Sequence, residues 1–155
     1  MKKFIVCAFA AMAVLFASCG KDYAEQYVGT YDAELTQEVN VLGQTQSVSD
    51  NGPVQIVATG DNGEVDILFL EEGSNEAGMT MKGIADKEGL HVQKFEMTEN
   101  DDEMSMSMSF AEALGTFDGD VLSWKSDMTG TMTITEMGQS FDFSGALTIK
   151  AKKVK

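Results

Sequence analysis

The chain has 155 residues, of which 25 are acidic and 11 are lysines, with no arginine and a formal net charge of −14 at pH 7. Its length suffices for one domain. A nucleic-acid-binding surface needs clustered basic residues, so we expect no nucleic-acid partner.

The first eighteen residues have the pattern of a secretory signal peptide. Lys2 and Lys3 form a short positive start, and an almost unbroken apolar run extends from Phe4 to Phe16. This run is too short for a typical membrane span, which needs roughly 17–25 apolar residues. We therefore predict that residues 1–18 are a signal peptide that is cleaved from the protein.

A cysteine stands directly after this run, at position 19. The stretch Leu15-Phe16-Ala17-Ser18-Cys19 resembles the lipobox of bacterial lipoproteins, which implies that Cys19 is lipidated and becomes the mature N-terminus. The alternative is an ordinary cleaved signal followed by an isolated cysteine. The lipoprotein interpretation also accounts for cysteine usage, because Cys7 is lost with the signal and no internal disulfide can form.

The residues after Cys19 predict a location in the cell envelope. Gly20-Lys21-Asp22 resembles the export signal of some Gram-negative lipoproteins. The alternative is that these residues are only a polar tether. We expect an outer-membrane lipoprotein, exposed on either the periplasmic or the outer face, with acyl chains such as palmitate on Cys19. Residues 19–27 are predicted to be the lipidated cysteine and tether, and residues 28–155 the folded domain.

The folded domain has an apolar–polar alternation of period two, which is typical of β-strands. The alternation begins at Tyr31 and reaches Val41, and Gly43 marks a turn. A short strand over 44–49 and a hairpin turn at Asp50-Asn51-Gly52 are predicted next, with Pro53 beginning the following strand. Further strands are predicted near 64–71, 78–85, 90–97, 103–110, 120–126, 129–136 and 140–150. So many short strands predict an all-β fold with a single antiparallel up-and-down β-barrel of about 8–10 strands.

Three segments carry a family resemblance. The quoted stretches are YVGTYDAEL from Tyr27, LGTFDGDVLSW from Leu114, and GTMTITEMGQSFDFSGALTIKAKK from Gly130. With the lipoprotein signal, they resemble the calycin-like β-barrel lipoproteins of Gram-negative bacteria over about residues 27–151. The resemblance implies a lipocalin-like barrel and carries over no catalytic residue. The Gly-Thr-aromatic repeats within it, together with Thr129-Gly130-Thr131, are interpreted as strand-entry devices.

Two methionine runs stand out, Met79-Thr80-Met81 and Met104-Ser105-Met106-Ser107-Met108 followed by Ser109 and Phe110. All methionines of the second run share one strand face. Thioethers of this kind could bind Cu(I), but alternation that ends in a phenylalanine favours the apolar interior of a barrel, where flexible methionines line an adaptable cavity. The candidate lining of a ligand site is Met79, Met81, Met104, Met106, Met108, Phe110 and Trp124.

Catalytic and metal chemistry have weak signals. His91 is the only histidine and lies within a predicted strand, where a satisfied or surface histidine is the usual role. Acidic loops at Asp61-Asn62-Gly63-Glu64 and Glu99–Glu103 offer oxygen ligands for Ca²⁺ but lack the spacing of an EF-hand. We expect no enzymatic activity, no cofactor and no metal.

The sequence thus predicts a membrane-anchored, non-enzymatic lipoprotein that holds a small apolar or amphipathic ligand in a barrel lined by methionines and aromatic rings. The alternative is a structural or protein–protein interaction module of the envelope with a solid core, whose protein partner is unknown. A cavity of a few hundred cubic ångströms would favour ligand binding, and a fully packed interior would favour the alternative.

Overall fold

A computed structural model describes residues 23–60, 62–71, 73 and 75–154. In this part of the chain ten antiparallel strands form one sheet, and eight of them close into a barrel. The prediction of an all-β, antiparallel barrel is therefore confirmed. The predicted signal peptide, the lipidation of Cys19 and the Lys21-Asp22 export signal lie outside the described residues.

The barrel is closed by pairing of its first and last strands. Its ring runs β1-β2-β3-β4-β5-β8-β9-β10 and returns to β1. β7 pairs with the second half of β9, and β6 pairs with β7, so these two strands extend the sheet outside the ring. The strands are β1 Gly29–Val41, β2 Gln44–Ala58, β3 Glu64–Leu70, β4 Ala77–Ala85, β5 Leu90–Val92, β6 Phe95–Asn100, β7 Met104–Phe110, β8 Ala113–Asp118, β9 Val121–Ile134 and β10 Gln139–Lys153.

The predicted hairpin turn at Asp50-Asn51-Gly52 is wrong. β2 runs straight through this segment, with Asn51 opposite Glu34. The turn predicted at Gly43 is confirmed: Leu42 and Gly43 join β1 to β2, and their φ angles of 52° and 81° fit a two-residue type I′ turn. The long partner strand β1 offers a continuous ladder of hydrogen bonds, and this ladder outweighs the local turn preference of Asn-Gly.

The segment Thr129-Gly130-Thr131 lies in the middle of β9 and is not a strand entry. The two strands predicted over 120–126 and 129–136 are accordingly one. A Cβ atom on Gly130 would clash with Cζ of Phe143 on the neighbouring strand. Glycine is required here because the Phe143 ring packs across the backbone.

The strand predicted over 90–97 is broken in two. β5 and β6 are separated at Gln93 and Lys94, where the Gln93 N–H donates to the carbonyl of Lys82 at 2.9 Å. β8 was not predicted as a strand of its own. It forms because the chain bends after β7 and then pairs with β5 and β9.

A helical turn packs on the end of the barrel where β1 begins, which we call the base. Its first described residue is Tyr23, and Ala24 and Tyr27 are only 1% and 3% exposed. The Tyr27 ring stacks on Phe117 with ring centroids 5.2 Å apart. The hydroxyl of Tyr31 donates to the Tyr27 carbonyl at 2.6 Å. Of the residues 19–27 that were predicted as tether, Tyr23 to Tyr27 form this turn against the barrel, and residues 19–22 lie outside the described residues.

The base half of the barrel interior is densely filled. Its fully buried side chains come from seven barrel strands, so apolar groups meet from all round the ring. They are Tyr31, Val54, Ile56, Val65, Ile67, Met81, Leu90, Val92, Leu122 and Ile149. Within the described residues, no helix has the length and apolar character needed to cross a membrane.

Removal of the Tyr31 hydroxyl tests the attachment of the helical turn. The Y31F variant loses a buried hydrogen bond and leaves the Tyr27 carbonyl without this donor. We expect the free energy of unfolding to fall by about 1–2 kcal/mol in a urea titration. The matched control is Y23F, because Tyr23 is exposed and should lose almost nothing. Equal losses in the two variants would contradict this role of Tyr31.

Alkaline pH should weaken the same contact. Burial raises the pKa of Tyr31 to about 12, with the nearby Tyr27 as a smaller cause. The folded state therefore keeps its proton where the unfolded chain, with an ordinary tyrosine pKa near 10, loses it. Stability should decline as the pH rises from about 10 to 12. The decline should be shallower in Y31F, and identical pH profiles of unfolding would refute the assignment.

Candidate binding site at the barrel mouth

The end of the barrel opposite the base, which we call the mouth, is formed by only part of the ring. β2 pairs with β3 over residues 54–58 alone, so its segment Gln44–Pro53 extends beyond β3. At this level the sheet order is β2-β1-β10-β9-β7-β6. Within the described part of the chain, Gln44–Pro53 and β6 form the two unpaired edges of this sheet. The mouth is therefore a curved sheet with an open side.

The inner face of this sheet is apolar but incompletely covered. Its side chains share the strand face that points into the packed core nearer the base, yet they stay partly exposed. They are Val39, Val41, Met97, Met104, Met106, Met132, Ile134 and Phe141. Exposed apolar groups on a concave face are typical of a site that another molecule can cover.

A recess of about 390 Å³ lies on this face. This volume falls within the range of small-molecule sites, roughly 300–1,000 Å³. None of its lining side chains carries a charge, and Gln44 and Gln46 provide amide groups at one side. The lining residues are Val39, Val41, Leu42, Gln44, Gln46 and Met132.

The seven residues predicted to line a ligand site are divided by the structure. Met104 and Met106 lie at the mouth and are partly exposed, and Met106 is opposite the recess residue Met132 in the strand register. Met79 lies on β4 and is also partly exposed. Met81, Met108, Phe110 and Trp124 are buried in the core. No residue of the seven is part of the recess lining.

The two methionine runs lie on strands that are not neighbours in the sheet. Met79 and Met81 belong to β4, which pairs with β3 and β5. The second run, on β7, is flanked by Met97 on β6 and Met132 on β9. The structure thus assembles its methionine cluster from β6, β7 and β9.

The sequence analysis did not select the residues that line the recess. The apolar–polar alternation shows which face of a strand points inward, but it does not show where a strand extends beyond its neighbour. Val39, Val41 and Met132 have the inward parity of their strands and could have been chosen by it. Gln44 and Gln46 could not, because the predicted turn at Asp50–Gly52 placed them on a separate short strand.

The interior also holds polar groups. The indole Nε1 of Trp124 is buried and has no hydrogen-bond acceptor among the described residues. Ser126 lies two residues further along the same face and is also buried. The amide Nε2 of Gln37 lies 3.5 Å from the sulfur of Met128. A buried N–H without an acceptor calls for a water molecule or a ligand oxygen.

The predicted acidic loops do not gather ligands in the described residues. Asp101 Oδ1 accepts the backbone N–H groups of Glu103 and Met104, so it closes the hairpin tip between β6 and β7. Asp61 of the other loop lies outside the described residues. The described residues contain one group of three potential metal ligands, formed by Asp86, Glu88 and His91. Hydrogen bonds lower the pKa of the Asp86 carboxyl, chiefly the one from the backbone N–H of Glu88.

Comparisons of the chain with protein-family models, with curated proteins and with solved structures found no match.

Two methionine-to-alanine variants test the difference between base and mouth. Met81 is 1% exposed in the packed base, whereas Met106 is partly exposed at the mouth. We expect M81A to lower the free energy of unfolding by about 2–4 kcal/mol and M106A by less than about 1.5 kcal/mol, because only M81A leaves a closed cavity. Chemical denaturation measures both values. Equal losses would show that the mouth is packed as solidly as the base.

Proposed function

We propose that this protein is a non-enzymatic lipoprotein of the cell envelope that binds a small apolar or amphipathic ligand at the barrel mouth. The observation that carries this proposal is the contrast along the inner face. The same face is solidly packed at the base and partly exposed around a 390 Å³ recess at the mouth. A barrel whose only task was structural would gain stability by burying these apolar groups.

The charges around the site restrict the class of ligand. The recess lining is uncharged, and the protein carries a net charge of −14. On the inward face of β2 and β6, the nearest acidic positions are Asp50 and Glu99. An anionic ligand would therefore be repelled. We propose a neutral or cationic molecule, with an apolar body against Met132 and Val41 and a polar group near the Gln44 and Gln46 amides.

The proposed anchor would orient this site. Tyr23 belongs to the helical turn on the base and lies four positions after Cys19. Four extended residues span at most about 14 Å, so a lipidated Cys19 would keep the base near the membrane and the mouth away from it. The closed eight-stranded barrel supports membership of the calycin-like lipoproteins, which we propose from the resemblance of the three sequence segments.

A neutral fluorescent probe, N-phenyl-1-naphthylamine, tests ligand binding at the mouth. We expect the full chain to enhance its fluorescence and the double variant M106Q/M132Q to raise the Kd about tenfold, because two apolar contacts become polar. The matched control is L114Q, since Leu114 is an exposed leucine on β8, away from the mouth. It should bind like the wild type. A similar loss in L114Q, or no enhancement by the wild type, would refute the proposal.

Native mass spectrometry of protein purified from the cells that produce it would identify a natural ligand. We expect an additional mass that is lost from M106Q/M132Q and kept by L114Q. Protein that carries no such mass and binds no probe would favour the second candidate function.

The second candidate is an interaction module, and the unpaired edge of β2 favours it. Exposed backbone groups on such an edge can accept a strand from another protein. Leu42 at the adjoining hairpin tip is 79% exposed, and Val48 on the edge strand itself is also exposed. A photo-crosslinking residue at Val48 should then capture a discrete envelope protein, whereas one at the exposed position Lys125 should not. Equal capture at both positions would argue against this function.

A further inference from the structure

Three metal-ligating side chains meet at the hairpin between β4 and β5. Asp86 and Glu88 lie in the turn, and His91 is the middle residue of β5. One ligand atom from each side chain lies within 4.8 Å of the other two. The sequence pattern gave no reason to expect this cluster, because the turn residues and the strand histidine come together only when β5 folds back on β4.

The histidine is the unusual member of the cluster. Its Nε2 atom is buried although the side chain as a whole is 44% exposed. This atom lies 3.1 Å from Oδ2 of Asp86, but the contact lacks the geometry of a hydrogen bond. A ring nitrogen this close to a carboxylate oxygen, without a well-aligned hydrogen bond, can share a cation with that oxygen through its lone pair.

Asp86 is held in place by its other oxygen. Oδ1 accepts the backbone N–H groups of Glu88 at 2.7 Å and Gly89 at 3.2 Å. The carboxyl group is thereby oriented so that Oδ2 points at the imidazole. Glu88 is exposed and its side chain is long enough to adjust its position.

We propose that Asp86, Glu88 and His91 form a Zn²⁺ site, with Oδ2 of Asp86, a carboxylate oxygen of Glu88 and Nε2 of His91 as its ligands. One imidazole and two carboxylates suit zinc, which binds nitrogen and oxygen at about 2.0–2.2 Å and takes four ligands. Water completes the fourth position. Ca²⁺ is disfavoured because it requires six to eight oxygen ligands. The strongly negative protein raises the local concentration of cations.

The position of the site at the base gives it a structural role. Asp86 and Glu88 line a recess of about 480 Å³ together with Tyr23, Gln26, Tyr27 and Phe117. Tyr23, Gln26 and Tyr27 belong to the helical turn. Phe117, on which the Tyr27 ring stacks, belongs to β8. Zinc would tie the turn between β4 and β5 to strand β5, beside the helical turn. The inference concerns the base of the barrel and does not depend on ligand binding at the mouth.

Isothermal titration with ZnCl₂ tests the site in the full chain. Cys7 and Cys19 are replaced by serine in every protein, because free thiols would bind zinc themselves. We expect one Zn²⁺ per chain and an increase in Kd of at least about tenfold in both H91Q and E88Q. The matched control is E99Q, which removes an exposed carboxylate from the end of β6, away from this cluster. It should bind zinc as tightly as the parent protein. Circular dichroism without metal checks that every variant is folded.

Nuclear magnetic resonance provides a second measurement, since His91 is the only histidine of the chain. Zn²⁺ should shift the Nε2 resonance of its ring, and an excess of Ca²⁺ should not reverse this shift. The proposal is overturned if zinc leaves the imidazole resonances unchanged, if E88Q binds as tightly as E99Q, or if Ca²⁺ displaces zinc. Because E88Q alters an exposed side chain, this comparison remains decisive even if H91Q fails to fold.

Discussion

The pairing of β1 with β10 is the constraint on which the rest of the structure depends. Eleven residue pairs join the two strands, from Tyr31 opposite Lys153 to Val41 opposite Phe143. This ladder closes eight of the ten strands into a ring and gives the apolar faces of these strands a common interior. The pairing of β1 with β10 also continues towards the mouth, beyond the ends of β3 and β4. The same pairing therefore builds both the closed base and the open mouth.

The two ends of the barrel use the same face of the sheet in different ways. At the base, strands arrive from every side and the helical turn covers the end, so side chains such as Ile56 and Leu122 are fully buried. At the mouth, β3 and β4 have ended and the ring is open on their side. The apolar inner face of the remaining strands is therefore partly exposed. The proposed ligand site follows from this incomplete ring and needs no special motif. It also explains why the interior contains many methionines, which adapt to variable surroundings.

The sequence predicted the fold class well because the period of two is a local property that persists through every strand. It also predicted the inward parity of Met81, Met106 and Trp124. It failed where distant partners decide the outcome. Asn51-Gly52 is a strong local turn signal, but the ladder to β1 keeps it extended. Gly130 resembled a strand entry because the packing of Phe143, thirteen residues away, cannot be seen in the pattern.

The closing ladder also has a consequence for how the protein must be made. Tyr31 and Lys153 are separated by more than 120 positions in the chain, so the contact that completes the barrel is among the most distant that the chain contains. Folds dominated by such contacts form slowly. A chain still emerging from a ribosome or a translocation pore lacks β10 and cannot close the ring. Delayed closure of this kind would keep the barrel open until synthesis is complete, as the proposed export to the envelope requires.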